Sequence, residues 1–414
     1  MSSAPPVLSF ADARRVVEEH AREARPTEIE PVALPESRGR VLAEDVLCDR
    51  DLPPFPRATR DGFAVRAADL ATPPARLRVV GEVRAGGAPP ASFTSLAAGE
   101  ALEIMTGAAV PAGGDAVVMV EYTARKGPMV EVARAVAAGE NVVAPGSEAR
   151  AGDVLVPRGT RLGYAQIGAA AAAGRVEVRV YRRPRVALLA TGDEVVDAAA
   201  EPGPNQIRNS NSYSLAAQVE AAGGDPARLP IAPDEREALR RLIQQGLGAD
   251  LLLITGGVSV GRYDLVEQVL AEFGAEIFFA GALIQPGRPV VFGRAARQPN
   301  ARPTFFLGLP GNPISTMVTF ELFARPLVDA LAGAAPEPLQ FLRARLKSEV
   351  KTRTGLTRFL PARLSGQFDE TEVERVLWQG SGDLASAARA NCFLIVPPDR
   401  DRLPAGELVA VLVR

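Results

Sequence analysis

Four clusters of glycine and polar residues each follow an apolar run, and their residue types suit a phosphorylated anion and a hard cation. The first, Thr191-Gly-Asp-Glu194, comes after Arg185-Val-Ala-Leu-Leu-Ala190. Its glycine permits a tight turn, and Glu194 can hold a metal ion or orient a hydroxyl. The second, Gly256-Gly257-Val-Ser259-Val-Gly261, comes after Asp250-Leu-Leu-Leu-Ile-Thr255. Its glycines let backbone amides approach an anion closely, and the amino terminus of a following helix adds a favourable dipole. Asp264, shortly beyond it, suits a bridging divalent cation or a protonated ligand group rather than phosphate itself. In the third, Gly308-Leu-Pro310-Gly311-Asn312-Pro-Ile-Ser315, proline and glycine fix a turn and Ser315 can donate near the next helix start. The fourth, Pro286-Gly-Arg288-Pro289, presents a guanidinium that suits a tetrahedral oxyanion. Each cluster alone reads as a turn after a strand. Four of them together indicate an anionic, phosphorylated ligand with a divalent cation, without naming a reaction.

What the chain lacks narrows the chemistry further. His20 is its one histidine, it sits in an expected helix, and it reads as a packing or surface residue. Cys48 and Cys392 are the two cysteines, far apart and without partners at metal-ligand spacing, so they read as small buried hydrophobes. Ser-His-Asp and Cys-His catalysis and His-rich metal sites are thereby excluded. The lysines are Lys126, Lys347 and Lys351, and none completes a phosphate-binding G-x-x-x-x-G-K-[ST] loop. Carboxylates, hydroxyls, arginines, backbone amides and an oxygen-held cation remain. A formal net charge of −2 with mixed signs leaves no footprint for nucleic acid or an anionic membrane. No apolar run approaches the roughly 18 residues that span a bilayer, and no leader pattern opens the chain, so a cytoplasmic location is expected.

The elements that must position these clusters follow from the pattern of apolar residues. The expected fold is multidomain α/β, because 414 residues exceed what one core usually supports. Ser9 to Ala24 opens with a Ser9-x-x-Asp12 cap and reads as an amphipathic helix. Residues 1–50 and 145–178 are expected to form an extended helical linker domain, and 51–144 a β-rich lobe of short β-branched runs between Gly and Pro. Residues 179–332 alternate apolar strands with helices, the pattern of a mostly parallel sheet with ligands at the carboxyl ends of its strands. Residues 333–414 return to β-like runs and are expected to form a small sheet or barrel.

At these motifs the chain resembles the MoeA, or gephyrin E-domain, family of molybdopterin molybdenumtransferases, and the resemblance covers nearly its whole length. Pro53-Pro-Phe, Asp61-Gly-Phe-Ala-Val and Ile104-Met-Thr106-Gly-Ala resemble the family's lobe motifs. Thr191 to Glu194, Arg208-Asn-Ser210-Asn211, Asp234, Gly256 to Asp264, Pro286 to Pro289 and Leu309 to Ser315 follow in the family's order, with Gly380-Ser-Gly and Ala390-Asn391 toward the end. The resemblance implies a molybdopterin-binding central domain and an elongated homodimer with a cleft shared between protomers. It implies a transferase that takes adenylylated molybdopterin and molybdate, releases AMP with Mg²⁺, and leaves molybdenum on the dithiolene. It assigns Glu194, Asp234 and Asp264 as metal-linked acids, and has Asp61 and Thr106 reach in from the lobe as further catalytic residues. Ser210, Gly256, Gly257, Ser259, Gly261, Arg288, Pro310, Gly311, Asn312 and Ser315 become substrate-binding positions. A molybdopterin adenylyltransferase and molybdoenzymes become possible partners.

The chain also departs from the family's pattern. Basic residues usual near the proline-glycine motif and beyond the second glycine cluster are replaced by Gly281, Gln285 and Glu267, with no arginine in their place. Arg57-Ala-Thr-Arg60 precedes Asp61 where the family has a small polar stretch and a methionine. The alternatives left open are a non-catalytic molybdopterin-binding scaffold and another transferase or hydrolase built on the same central domain.

Overall fold

The computed structural model describes residues 5–257, 265–298, 302–335 and 337–413. Its central domain is a six-stranded sheet in the order Asp225–Arg228, Arg185–Ala190, Leu251–Thr255, Thr304–Leu309, Val291–Ala295, Glu276–Ala280. The first four strands run parallel, and the last two add antiparallel at one edge. Strand 251–255 is buried at every position because both faces are covered. Leu251 and Leu253 enter one core with the helices Asn211–Ala221, Pro313–Thr319 and Arg325–Leu331. Leu252 and Ile254 enter a second core with Arg236–Gly246 and Leu265–Glu272.

The amphipathic pattern at the amino terminus forms helix Phe10–Glu23, with Ser9 accepting from the Asp12 amide at 3.1 Å. Ala13, Val17 and Ala21, one turn apart, are buried in the central domain's first core rather than among the linker elements that follow in the chain. His20 packs as its isolation in the sequence suggests: its ring stacks on Phe278 at 3.8 Å, and Nδ1 lies 2.8 Å from the Val16 carbonyl. Both cysteines are buried and unbridged.

The lobe holds a six-stranded sheet in the order Ala116–Met119, Gly62–Val65, Glu100–Ile104, Ala75–Val83, Met129–Val132, Thr123–Lys126. Two small cores lie on its faces. Gly62 is required here, because a β-carbon on it would sit 1.8 Å from the Val118 carbonyl oxygen. In the linker, Ile29–Ala33 pairs with Glu177–Tyr181, and helix Tyr164–Ala172 shares their core.

Five carboxy-terminal strands close into a barrel: Thr357–Ser365 pairs with Glu372–Arg375, then Phe341–Leu346, Leu408–Val413, Cys392–Val396 and back to Thr357–Ser365. Ile284–Gln285 of the central domain pairs alongside Thr357–Arg358, so the barrel is fastened next to the proline-glycine loop. Among the described residues no helix is long and apolar enough to cross a membrane.

Candidate functional site

Three parallel strands end side by side at Ala190, Thr255 and Leu309, and their following turns meet. The Thr191 amide donates to the Thr255 carbonyl at 2.9 Å. Gly256 and Gly257 have φ of +85° and +61°, the left-handed region that glycine enters without cost. A β-carbon on Gly256 would press within 2.7 Å of the Thr191 carbonyl oxygen, and one on Gly311 would stand 3.7 Å from Gly256 Cα. The first and third clusters and the described start of the second, Gly256-Gly257, therefore converge at the carboxyl edge of the sheet, as a parallel α/β domain requires.

Acidic residues gather beside the first turn. Asp193 accepts from the Asp234 amide at 3.0 Å, and the Glu194 carboxylate folds back over Gly192. Burial, then the negative charges of Asp193 and Glu194, push the Asp234 carboxyl above its ordinary value, against a hydrogen bond from the Asp193 backbone. A cation or a proton would relieve this crowding. Among the described residues, however, no three acidic, histidine or cysteine side chains are placed to hold a metal. Ser259, Gly261 and Asp264 lie outside the described residues.

Asp61 and Thr106 do come together. The exposed Asp61 carboxylate accepts from the Thr106 amide at 2.7 Å and from its hydroxyl at 2.8 Å. The amide, then the hydroxyl, hold its carboxyl below the ordinary range. Among the described residues no hydrogen bond or ion pair joins this pair to Glu194 or Asp234 of the same chain.

The third and fourth clusters meet through helix 313–319. Thr316 Oγ1 donates to the Pro310 carbonyl, and Asn312, at the helix amino end, accepts the Thr316 amide at 3.0 Å. A β-carbon on Gly287 would collide with Thr319 at 2.5 Å and lie 3.6 Å from the Ser315 carbonyl, so the Pro286-Gly-Arg288 loop lies on this helix. Ser315 is buried and Arg288 is exposed, with no ion pair among the described residues. Ser210 precedes helix 211–221 but makes no side-chain capping bond. Its neighbours carry those contacts: Asn209 accepts the Ser212 amide at 3.0 Å, and Asn211 Nδ2 donates to the Gly311 carbonyl at 2.7 Å. The Asn209-x-x-Ser212 spacing before an apolar helix is a capping signal that pointed there.

Two of the departures, at Gly281 and Gln285, find reasons in the fold. Gly281 has φ of +121°, and its β-carbon would lie 3.1 Å from Val7, whose neighbour Leu8 donates its amide to the Gly281 carbonyl. A side chain there would crowd Val7 from a backbone conformation that favours glycine. Beside Gln285 the positive charge arrives from the barrel instead: Arg358, 6% exposed, donates Nε to Gln285 Oε1 at 2.9 Å. Burial and the nearby Arg353 lower its pKa, the mark of a cation without an acid beside it. Local sequence showed no replacement arginine because this one lies more than seventy residues further along the chain. Arg57 pairs with Glu148 at 2.8 Å, and Arg60 bonds the Thr59 carbonyl.

Comparison with known proteins identifies the family. Residues 8–174 match the MoeA N-terminal region (domains I and II), 187–330 a probable molybdopterin-binding domain, and 343–413 the MoeA C-terminal region (domain IV). A molybdopterin molybdenumtransferase of Nostoc sp. is 37% identical, covering 91% of this chain and 86% of its own. One from Bacillus subtilis is 33% identical, covering 93% and 90%. A molybdopterin biosynthesis MoeA protein from Pyrococcus horikoshii superposes with a TM-score of 0.72 at 33% identity, covering 99% of each chain. The chain belongs to the molybdopterin molybdenumtransferase (MoeA) family, and it is a transferase of molybdenum-cofactor biosynthesis.

Proposed function

We propose that the protein inserts molybdate into adenylylated molybdopterin, with Mg²⁺-assisted hydrolysis of the phosphoanhydride releasing AMP and leaving molybdenum on the dithiolene. The observation that carries this reading is the convergence of an acidic cluster, two glycine turns and a cationic loop at one sheet edge. The glycine turns at Gly256, Gly257 and Gly311 admit a phosphate closely, with backbone amides as donors. Arg288 and the buried Arg358 present positive charge for molybdate or a phosphate, and Ser315 lies in the helix beneath that loop. Glu194 and Asp234, together with Asp264, would supply the hard oxygen donors that Mg²⁺ prefers. When bound, Mg²⁺ neutralises phosphoanhydride charge. Fixed donors then stabilise the transferring oxyanion with no nucleophilic side chain, consistent with the scarcity of histidine and cysteine.

Asp61 and Thr106 enter this reading through a second copy of the chain. They form one rigid acceptor at the rim of the lobe, and a homodimer brings that lobe to the partner's sheet edge. A cytoplasmic setting, with a molybdopterin adenylyltransferase upstream and molybdoenzymes downstream, follows from the same reaction. The test is to incubate the protein with adenylylated molybdopterin, molybdate and Mg²⁺, following AMP and molybdenum cofactor together. Coupled appearance of both is the expected result. Binding without AMP release across several divalent metals sinks the transferase chemistry and leaves a scaffold.

A further inference from the structure

Among the described residues, five buried side-chain nitrogen or oxygen atoms have no hydrogen-bond partner, and two of them, Thr191 Oγ1 and Asn211 Oδ1, border the glycine turns. Asn211 opens helix 211–221, and its Nδ2 is committed to the Gly311 carbonyl at 2.7 Å. That bond fixes the amide's orientation and leaves Oδ1 as the free end. Thr191 is 4% exposed, and its hydroxyl lies 3.0 Å from where β-carbons on both Gly256 and Gly257 would stand. Gly311 stands against Gly256, so the two orphaned oxygens serve one small region.

An acceptor shielded from water and left unpaired is costly, so a ligand that completes it is favoured. Molybdate and the linking phosphates of an adenylylated substrate cannot do so, because at neutral pH their oxygens carry no hydrogen and only accept. The missing partner of Oδ1 must bring a hydrogen, and the polar edges of fused nitrogen heterocycles do. Resting on the function proposed above, we infer that Asn211 Oδ1 accepts an N–H from the substrate's heterocycle, with the Thr191 hydroxyl beside it. The site then reads a ring as well as an anion. A pterin and an adenine both carry such donors, and the substrate contains both rings.

Three probes separate the possibilities in the full-length protein: molybdopterin, AMP and inorganic pyrophosphate, which has no N–H. Asn211→Ala should weaken binding of one ring-bearing probe about tenfold or more, since a site built to bond a donor discriminates strongly once that bond is gone. Pyrophosphate should stay within about twofold of the parent protein. The ring that loses affinity is the one Asn211 reads. Affinity unchanged from the parent for all three probes overturns the inference. Parallel loss for all three also overturns it, because Asn211 would then only hold the Gly311 loop. Should Asn211→Ala fail to fold, Thr191→Val, which removes one hydroxyl with little change of shape, must show the same selective weakening. If the parent protein binds neither molybdopterin nor AMP, the proposed function itself falls and takes this inference with it, an outcome distinct from failure of the variants alone.

Discussion

Asp61 at the rim of the lobe and Asp234 at the sheet edge are both aspartates at candidate catalytic positions, yet their surroundings push them in opposite directions. Asp61 faces two donors from Thr106, amide and hydroxyl, which hold its carboxyl below the ordinary value. Asp234 is partly desolvated beside Asp193 and Glu194, and its carboxyl is pushed up. The difference lies in what each carboxylate faces. A carboxylate satisfied by fixed donors is a rigid, permanently charged acceptor, whereas one crowded by other carboxylates is poised to take a cation or a proton. On the proposed reading the lobe would supply positioning, and the sheet edge the place where charge is exchanged.

The most severe break in this comparison is Glu194→Ala. It removes a carboxylate at the crowded end and should lower turnover by about a hundredfold or more, the scale seen when a charge-stabilising group is lost. Thermal unfolding should stay close to that of the parent, since Glu194 makes no ion pair among the described residues. Near-normal coupled release of AMP and cofactor would remove the acidic cluster from the reaction.

Asp234→Asn sharpens the same point without substrate. A carboxyl pushed above its ordinary 3.8 contributes stability that is complete below that pH and lost as pH rises through its folded value. Mg²⁺ should offset that loss by favouring the ionised form. The parent protein should therefore gain melting temperature on Mg²⁺ addition at neutral pH, and Asp234→Asn should gain much less. An equal gain in both proteins would place the ion elsewhere.

How much of this was legible in the sequence depends on the range over which each contact acts. Strand 251–255 was readable as an apolar run ending before the glycine cluster, and the carboxy-terminal region as β-like runs, because continuous apolar runs bounded by glycine and proline are local signals. The glycine turns were readable for the same reason. The Asp61–Thr106 bond was reachable only through family resemblance, since it joins two strands forty-five residues apart. Arg358 beside Gln285 and Asn211 against Gly311 could not be read, because each depends on how separate parts of the fold dock. Helix 10–23 was readable as a helix from its cap and spacing, but its burial against the central sheet was a tertiary fact.

Thr106→Val probes the donor-held end and should have a milder effect. The Thr106 amide still holds Asp61, so losing only the hydroxyl should cost about tenfold or less in turnover. The Asp61 carboxyl should move up toward its ordinary 3.8, and carboxyl NMR titration would follow it directly. A pKa unchanged in the variant would mean the hydroxyl does not hold Asp61, leaving only the backbone amide to do so.

The smallest effect is expected at a third aspartate, which repeats the lobe's arrangement at a helix cap in the carboxy-terminal region. Asp383 accepts from the Ser386 hydroxyl, then from the Gln379 and Ser386 amides, and its carboxyl is pushed down to about 2. It caps helix Leu384–Arg389 and steadies the Gly380-Ser-Gly382 turn, whose Ser381 carbonyl accepts the Ile314 amide at 2.9 Å. Because its folded pKa is depressed, its stabilising effect is present above 3.8 and disappears as pH falls through about 2. Asp383→Ala should lower the melting temperature slightly at neutral pH, and the gap to the parent should close on acidification across that window. Turnover should fall only a few-fold, through a looser seat for the helix that carries Ser315. A loss of turnover as large as that of Glu194→Ala would show that donor-held and crowded carboxylates do not divide the work as their surroundings indicate.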